Sequence, residues 1–128
     1  MAARLVLDSG AVLAVARGNR TVTRLIEAAR LEQVDVVIPP VVVAETIRGG
    51  GRDAPIHRLL RFAEVPPFGL RLARRAGALL ARSGTSNVAD AQVMAEALSR
   101  GPAIVLTGDA NDMQRLAIGE SGVRITSI

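Results

Sequence analysis

Leu5-Val6-Leu7-Asp8-Ser9-Gly10 is the stretch on which the fold turns. An apolar run ends on a carboxylate and passes into small residues, the pattern of a short buried strand with an acid at its carboxyl end. Outward from it, short β-branched runs alternate with longer helical patterns. Strands are predicted at Leu5–Asp8, Val36–Ile38, Ala103–Thr107 and Val123–Thr126, with a short one near Val65. Between them, Val22–Gln33 puts Val22, Leu25, Ile26 and Ala29 on one helical face. Pro40–Arg48 opens on a proline favoured in first turns and stops at Gly49-Gly50-Gly51. Further helices are expected at Pro55–Arg61, Gly69–Arg82, Val88–Arg100 and Asp112–Ala117. This alternation predicts an α/β fold, a three-layer α/β/α sandwich around a mostly parallel sheet.

The chain of 128 residues favours one domain spanning residues 1–128. Hydrophobic residues make up 49% and charged ones 22%, enough apolar side chain for a packed core. Cysteine is absent, which excludes disulfides, zinc–thiolate sites and thiol nucleophiles and fits a reducing cytoplasm. The apolar stretches Leu5–Ala16 and Val34–Ala44 are broken by Asp8, and by Asp35, Pro39 and Pro40. Both fall short of the ~18 apolar residues that span a bilayer, so a soluble, cytoplasmic protein without a membrane partner is expected. All 16 basic residues are arginine and the formal net charge is +4, which suits a polyanionic partner. The missing lysine argues against a phosphoacceptor receiver domain, a P-loop and a haloacid-dehalogenase-type phosphatase. The last would also want a second aspartate where Gly10 stands.

Four acids follow strand ends or neighbouring helices. Asp8 ends the first strand, and its bland role is a helix N-cap. Glu45 follows Val41-Val42-Val43-Ala44 within a predicted helix, in a setting with few polar neighbours. Asp90 falls in the first turn of a helix capped by Asn87, where the helix dipole suits a carboxylate. Val93, Met94 and Ala97 continue the buried face below it. Glu96 is expected to be merely solvated. Asp109 and Asp112 follow Ala103–Thr107, again compatible with a cap and a first-turn acid.

Together the acids converge on one end of a parallel sheet. Two bare carboxylates ~4 Å apart repel by roughly 4 kcal/mol at an effective dielectric near ~20. A cluster needs protons or a cation, and oxygen-only ligands suit Mg²⁺ or Mn²⁺ better than zinc. Repulsion also predicts that Asp8→Asn melts no lower than wild type.

These blocks resemble the PIN domain, and in particular VapC-type toxins, along nearly the whole chain. Leu5-Val6-Leu7-Asp8-Ser9 is similar to the family's opening strand, and Val41-Val42-Val43-Ala44-Glu45 to the block with the helical glutamate. Val88-Ala89-Asp90-Ala91 is similar to the third block, and Val105-Leu106-Thr107-Gly108-Asp109 with Asp112-Met113 to the fourth. Two departures are Gly10, where many relatives carry a second small polar residue or a branched one, and Ser9, where threonine is common.

The resemblance implies an endoribonuclease with Asp8, Glu45, Asp90 and Asp109 as catalytic and metal-binding residues and Asp112 beside them. It implies Mg²⁺ or Mn²⁺, a homodimer, an RNA substrate and a VapB-type antitoxin. Either Asp90 or Glu45 would orient the attacking water. Ser9 and Thr107 are candidates to position phosphate or water, or are structural hydroxyls. Arg48, Arg52, Arg71, Arg74, Arg75 and Arg82 are RNA-binding candidates, with a solvated face as the alternative. The helices Pro40–Arg48 and Pro55–Arg61 would offer a groove to the antitoxin, whose basic side chain would enter the acidic site. Phe62 and Phe68 are expected in the core and His57 on the surface. The competing function is a non-catalytic RNA-binding or scaffolding PIN domain.

Overall fold

The computed structural model describes residues 3–128. Its sheet has four strands, all parallel: β1 (Arg4–Leu7), β2 (Asp35–Val37), β3 (Ala103–Thr107) and β4 (Val123–Ser127), in the order β2-β1-β3-β4. Register pairs Leu5 with Val36 on one side and with Ile104 on the other. A strand flanked on both edges and covered on both faces must be apolar throughout, and β1 is buried along its whole length.

Among the described residues seven α-helices cover the sheet: α1 (Ser9–Ala16), α2 (Arg20–Leu31), α3 (Pro40–Thr46), α4 (Ala54–Leu60), α5 (Leu70–Ser83), α6 (Val88–Ser99) and α7 (Ala110–Ala117). Helix α1 packs on α2, α3 and α4, while α6 packs on α5 and α7, giving a helical layer on either side of the strands. The core runs through Val6, Leu7, Val12, Val37, Met94 and Leu106, each at most 1% exposed.

Several sequence expectations shift. Helix α1 lies within the apolar run Leu5–Ala16, where no polar face marks a period. It is surrounded by β1, β3 and three helices, so its sequence carries little amphipathic signal. On α2 the buried face centres on Val22 and Ile26, leaving Leu25 43% exposed at its flank. No regular strand forms near Val65. A single bridge joins Val37 to Glu64, with Ile38 N–H donating to the Glu64 carbonyl and Glu64 N–H to the Val36 carbonyl, both at 2.8 Å. Pro66 and Pro67 follow at once and have no N–H to extend a ladder. Helix α5 ends where Gly84 takes a left-handed conformation, φ 72°. Phe68 is half-buried, and Phe62 lies at the surface under the Arg30 guanidinium, 3.7 Å from its ring centre.

Glu96 is not solvated. It is 2% exposed, because α6 is enclosed by α5, α7, β1 and β3. Its Oε2 meets Arg4 Nη1 at 3.3 Å and accepts from Ser99 Oγ at 2.9 Å, while Oε1 has no partner among the described residues. Arg4, also buried, donates through Nη2 to the carbonyls of Glu96 and Arg100 at 2.9 Å each. One side chain of β1 thereby satisfies carbonyls at the end of α6 that the helix cannot pair itself.

Candidate functional site

β1 and β3 lie side by side, but the chain leaves them toward opposite edges of the sheet. Their carboxyl ends therefore open a crevice at a topological switch point, the position where open α/β sheets bind ligands. Asp8 follows β1 and caps α1, its Oδ1 accepting the Ala11 N–H at 2.9 Å. Asp109 follows β3 and caps α7, its Oδ1 accepting the Asp112 N–H at 3.3 Å. That cap starts α7 at Ala110, two residues ahead of the expected start. For both acids, capping a helix and lining the crevice are one geometry.

The two turns touch backbone to backbone. A Cβ on Gly10 would lie 3.1 Å from Gly108 N and 3.2 Å from its Cα. The departure from the family pattern at Gly10 thus has a local cause: here the β3–α7 turn occupies the space a side chain would need.

Asp90 enters from α6. Its N–H is capped by Asn87 Oδ1 at 3.0 Å, leaving the half-buried carboxylate free to face the crevice. The Asp90 Oδ2 atom is buried and has no hydrogen-bond partner among the described residues. Burial foremost, then the charges of Asp109, Asp8, Asp112 and Glu45, push its carboxyl pKa up to about 6. Asp90, Asp109 and Asp112 each offer an oxygen within 4.8 Å of the others. Asp8 is buried beside them, and Glu45 stands exposed on α3, within reach of Asp90's field. Among the described residues, the cation that pairs with this group is Arg115, 3.9 Å from Asp112. A buried, unpaired carboxylate oxygen among oxygen-only donors suits a hard divalent cation.

Thr107, fully buried, links two of the acids. Its hydroxyl donates to Asp8 Oδ2 and accepts the Asp109 N–H at 2.8 Å. Ser9, the first residue of α1, is half-buried at the crevice rim.

The arginines are dispersed. Arg71 and Arg75 line a recess with Ala95, Leu98 and Ser99, so they sit beside the distal half of α6. At ~1.5 Å of rise per residue, that is roughly 7–13 Å along the helix from Asp90. Arg75 and Arg82 both grip Glu120, Arg82 at 2.8 Å, and hold its carboxyl below the usual range, Arg82's hydrogen bond most of all. Arg74 is exposed on the same helix. Arg48 turns its guanidinium back to the carbonyls of Ala44 and Ile47, at 3.2 and 3.1 Å. The N–H groups of Arg48 and Gly49 donate to Asp53 Oδ2 at 2.9 and 2.6 Å. Those bonds, Gly49's first, lower the Asp53 pKa and pin the triple-glycine loop in which Arg52 is exposed. His57 is exposed on α4.

A family profile described as PIN domain matches residues 5–119. The chain belongs to the PIN domain family. Its fold is similar to that of VapBC2 from Rickettsia felis bound to a fragment of promoter DNA, with TM-score 0.71, 14% identity, and 97% of this chain and 98% of that one covered. It is similar to DNA-bound VapBC from Salmonella typhimurium, with TM-score 0.71, 19% identity and 98% of each chain covered. FitAcB from Neisseria gonorrhoeae gives TM-score 0.68 and 19% identity over 94% of this chain and 95% of that one. At such identities the likeness is one of fold. No curated protein sequence matches the chain. No helix among the described residues is long and apolar enough to cross a membrane.

Proposed function

We propose that this PIN domain is a Mg²⁺- or Mn²⁺-dependent endoribonuclease acting as the toxin of a toxin–antitoxin pair. The observation that carries the catalytic part is Asp90 Oδ2, buried and unpaired at the centre of an acidic group with few cations. Asp90, Asp109 and Asp112 would hold the ion, with Asp8 and Glu45 ligating it directly or through water. A bound ion of this kind lowers the pKa of coordinated water and offsets charge developing on a scissile phosphate. The protein's part is to hold the carboxylates together, beyond the carboxyl ends of β1 and β3 and at the amino end of α6. Two aromatic residues are too few for stacking platforms, so RNA would be held through its phosphates. Arg52, exposed beyond α3, and the exposed Arg74 are candidates for this, whereas Arg75 is held by Glu120 and Arg48 by the Ala44 and Ile47 carbonyls.

The toxin part is supported by the VapC-like motif order and by the fold shared with chains of VapBC complexes. The partner would be a VapB-type antitoxin, and the protein a homodimer. A groove of about 440 Å³ lined by Val15, Ile26, Pro55, Leu59 and Phe62 is a fitting seat for an amphipathic antitoxin segment. It is built by α1, α2 and α4, whereas the sequence suggested α3 with α4. The test is cleavage of single-stranded RNA by the purified protein with Mn²⁺ or Mg²⁺. Cleavage should stop in EDTA and fall at least ~100-fold in Asp90→Asn. Undiminished cleavage in excess chelator would remove the metal mechanism.

A further inference from the structure

Resting on the proposed metal site, we propose that Thr107 is a positioning residue that fixes the Asp8 carboxylate for metal binding, rather than a group that touches RNA or its phosphates. Thr107 ends β3 with no exposed surface, so neither substrate nor bulk water reaches its hydroxyl in this structure. Its hydrogen bonds run inward. A hydroxyl has one proton to give, and a carboxylate oxygen can only accept, so that proton is committed to Asp8 Oδ2. The hydroxyl's lone pairs take the Asp109 N–H at 2.8 Å.

Asp8 is consequently held at both oxygens, Oδ2 by Thr107 and Oδ1 by the Ala11 N–H at 2.9 Å. Two donors on opposite oxygens fix the plane of the carboxylate, where one would leave it free to swing. The same hydroxyl ties down the backbone of Asp109, so a single buried atom sets the spacing between the acids that follow β1 and β3. An acid held in place before the ion arrives loses less freedom on binding it, and such outer contacts commonly change metal affinity about 10–100-fold.

The experiment measures Mn²⁺ affinity by titration calorimetry on folded protein without RNA, for wild type, Asp90→Asn, Thr107→Val, Thr107→Cys and Thr107→Ser. Thr107→Val keeps the shape and removes the hydroxyl, and should bind Mn²⁺ about tenfold more weakly. Thr107→Cys replaces the hydroxyl with a weak donor and should also weaken binding; it carries the test if the valine variant does not fold. Thr107→Ser keeps the donor and should restore the affinity. A purely structural hydroxyl would lower the melting temperature of the valine and cysteine variants and leave Mn²⁺ affinity at the wild-type value, which overturns the assignment. An Asp90→Asn loss without a Thr107 loss removes this inference alone. Equal binding by wild type and Asp90→Asn removes the metal site, and the role of Thr107 with it.

Discussion

Asp90 and Glu96 sit on the same helix, each with one buried carboxylate oxygen that lacks a partner among the described residues, yet their surroundings are opposite. Asp90, in the first turn of α6, faces Asp109, Asp8, Asp112 and Glu45. Glu96, in the last turns, meets the buried guanidinium of Arg4 and the hydroxyl of Ser99. At the amino end of the sheet, charge is neutralised as folding demands. At the carboxyl end it is gathered and left unneutralised by the protein, which costs stability unless something else supplies the positive charge. Burial alone does not separate these two acids; the sign of their neighbours does.

The largest expected effect breaks the neutral end. Arg4→Met strands Glu96 in the core and releases carbonyls at the end of α6. It should cost about 3–5 kcal/mol in urea denaturation. The double variant Arg4→Met with Glu96→Leu removes both charges and should recover most of that loss. A cost for Arg4→Met below ~1 kcal/mol would mean that the pair is effectively solvated, and the contrast between the two ends would fail.

This contrast was only half legible in the sequence. The acidic end could be read because each acid follows a recognisable apolar run or cap signal, as in Leu5-Val6-Leu7-Asp8 and Asn87-Val88-Ala89-Asp90. Parallel strands then bring those ends together as a matter of topology. The neutral end could not be read, since Arg4 and Glu96 are 92 residues apart and neither carries a local sign of the other. Helix α1 was hidden for a related reason: surrounded by other elements, it has no polar stripe. Gly10 looked like a departure from the family pattern, because the Gly108 backbone that excludes a side chain there comes from a distant part of the chain. Asp8 caps α1, bonds Thr107 and lies among the other acids at once, so the melting behaviour of Asp8→Asn combines lost contacts with relieved repulsion.

A smaller effect sharpens the geometry of the acidic end. In Gly10→Ala, the new Cβ would meet Gly108 N at 3.1 Å and Gly108 Cα at 3.2 Å. Backbone atoms cannot swing aside as the end of a side chain can, so the two turns must separate. The expected cost is about 1–3 kcal/mol of stability in a urea melt. The shift should also weaken Mn²⁺ binding, because Asp8 and Asp109 flank the contact. Wild-type stability together with wild-type Mn²⁺ affinity would show that the turns can part freely and that their close approach does not set the acids' spacing.

The smallest effect is the most diagnostic, since it reverses the usual sign for losing a buried polar group. The Asp90 carboxyl has a pKa of about 6 in the folded chain against an ordinary value of 3.8. The folded state therefore holds this proton more tightly than the unfolded state. The resulting stability is fully present below pH 3.8 and is lost as the pH rises through about 6. At pH 7 the metal-free wild type carries the charge at a cost, which we set at about 1 kcal/mol because the half-exposed group is partly screened. Asp90→Asn cannot ionise. Without metal it should be more stable than wild type by about 1 kcal/mol at pH 7, with the advantage gone near pH ~4. Adding Mg²⁺ or Mn²⁺ should stabilise wild type more than the variant, because only an ion that binds the folded state shifts the equilibrium. Thermal melts across pH, with and without the ion, make the comparison. If Asp90→Asn melts below wild type at pH 7 without metal, Asp90 contributes structure in the way Glu96 does, and the two ends of α6 are alike after all.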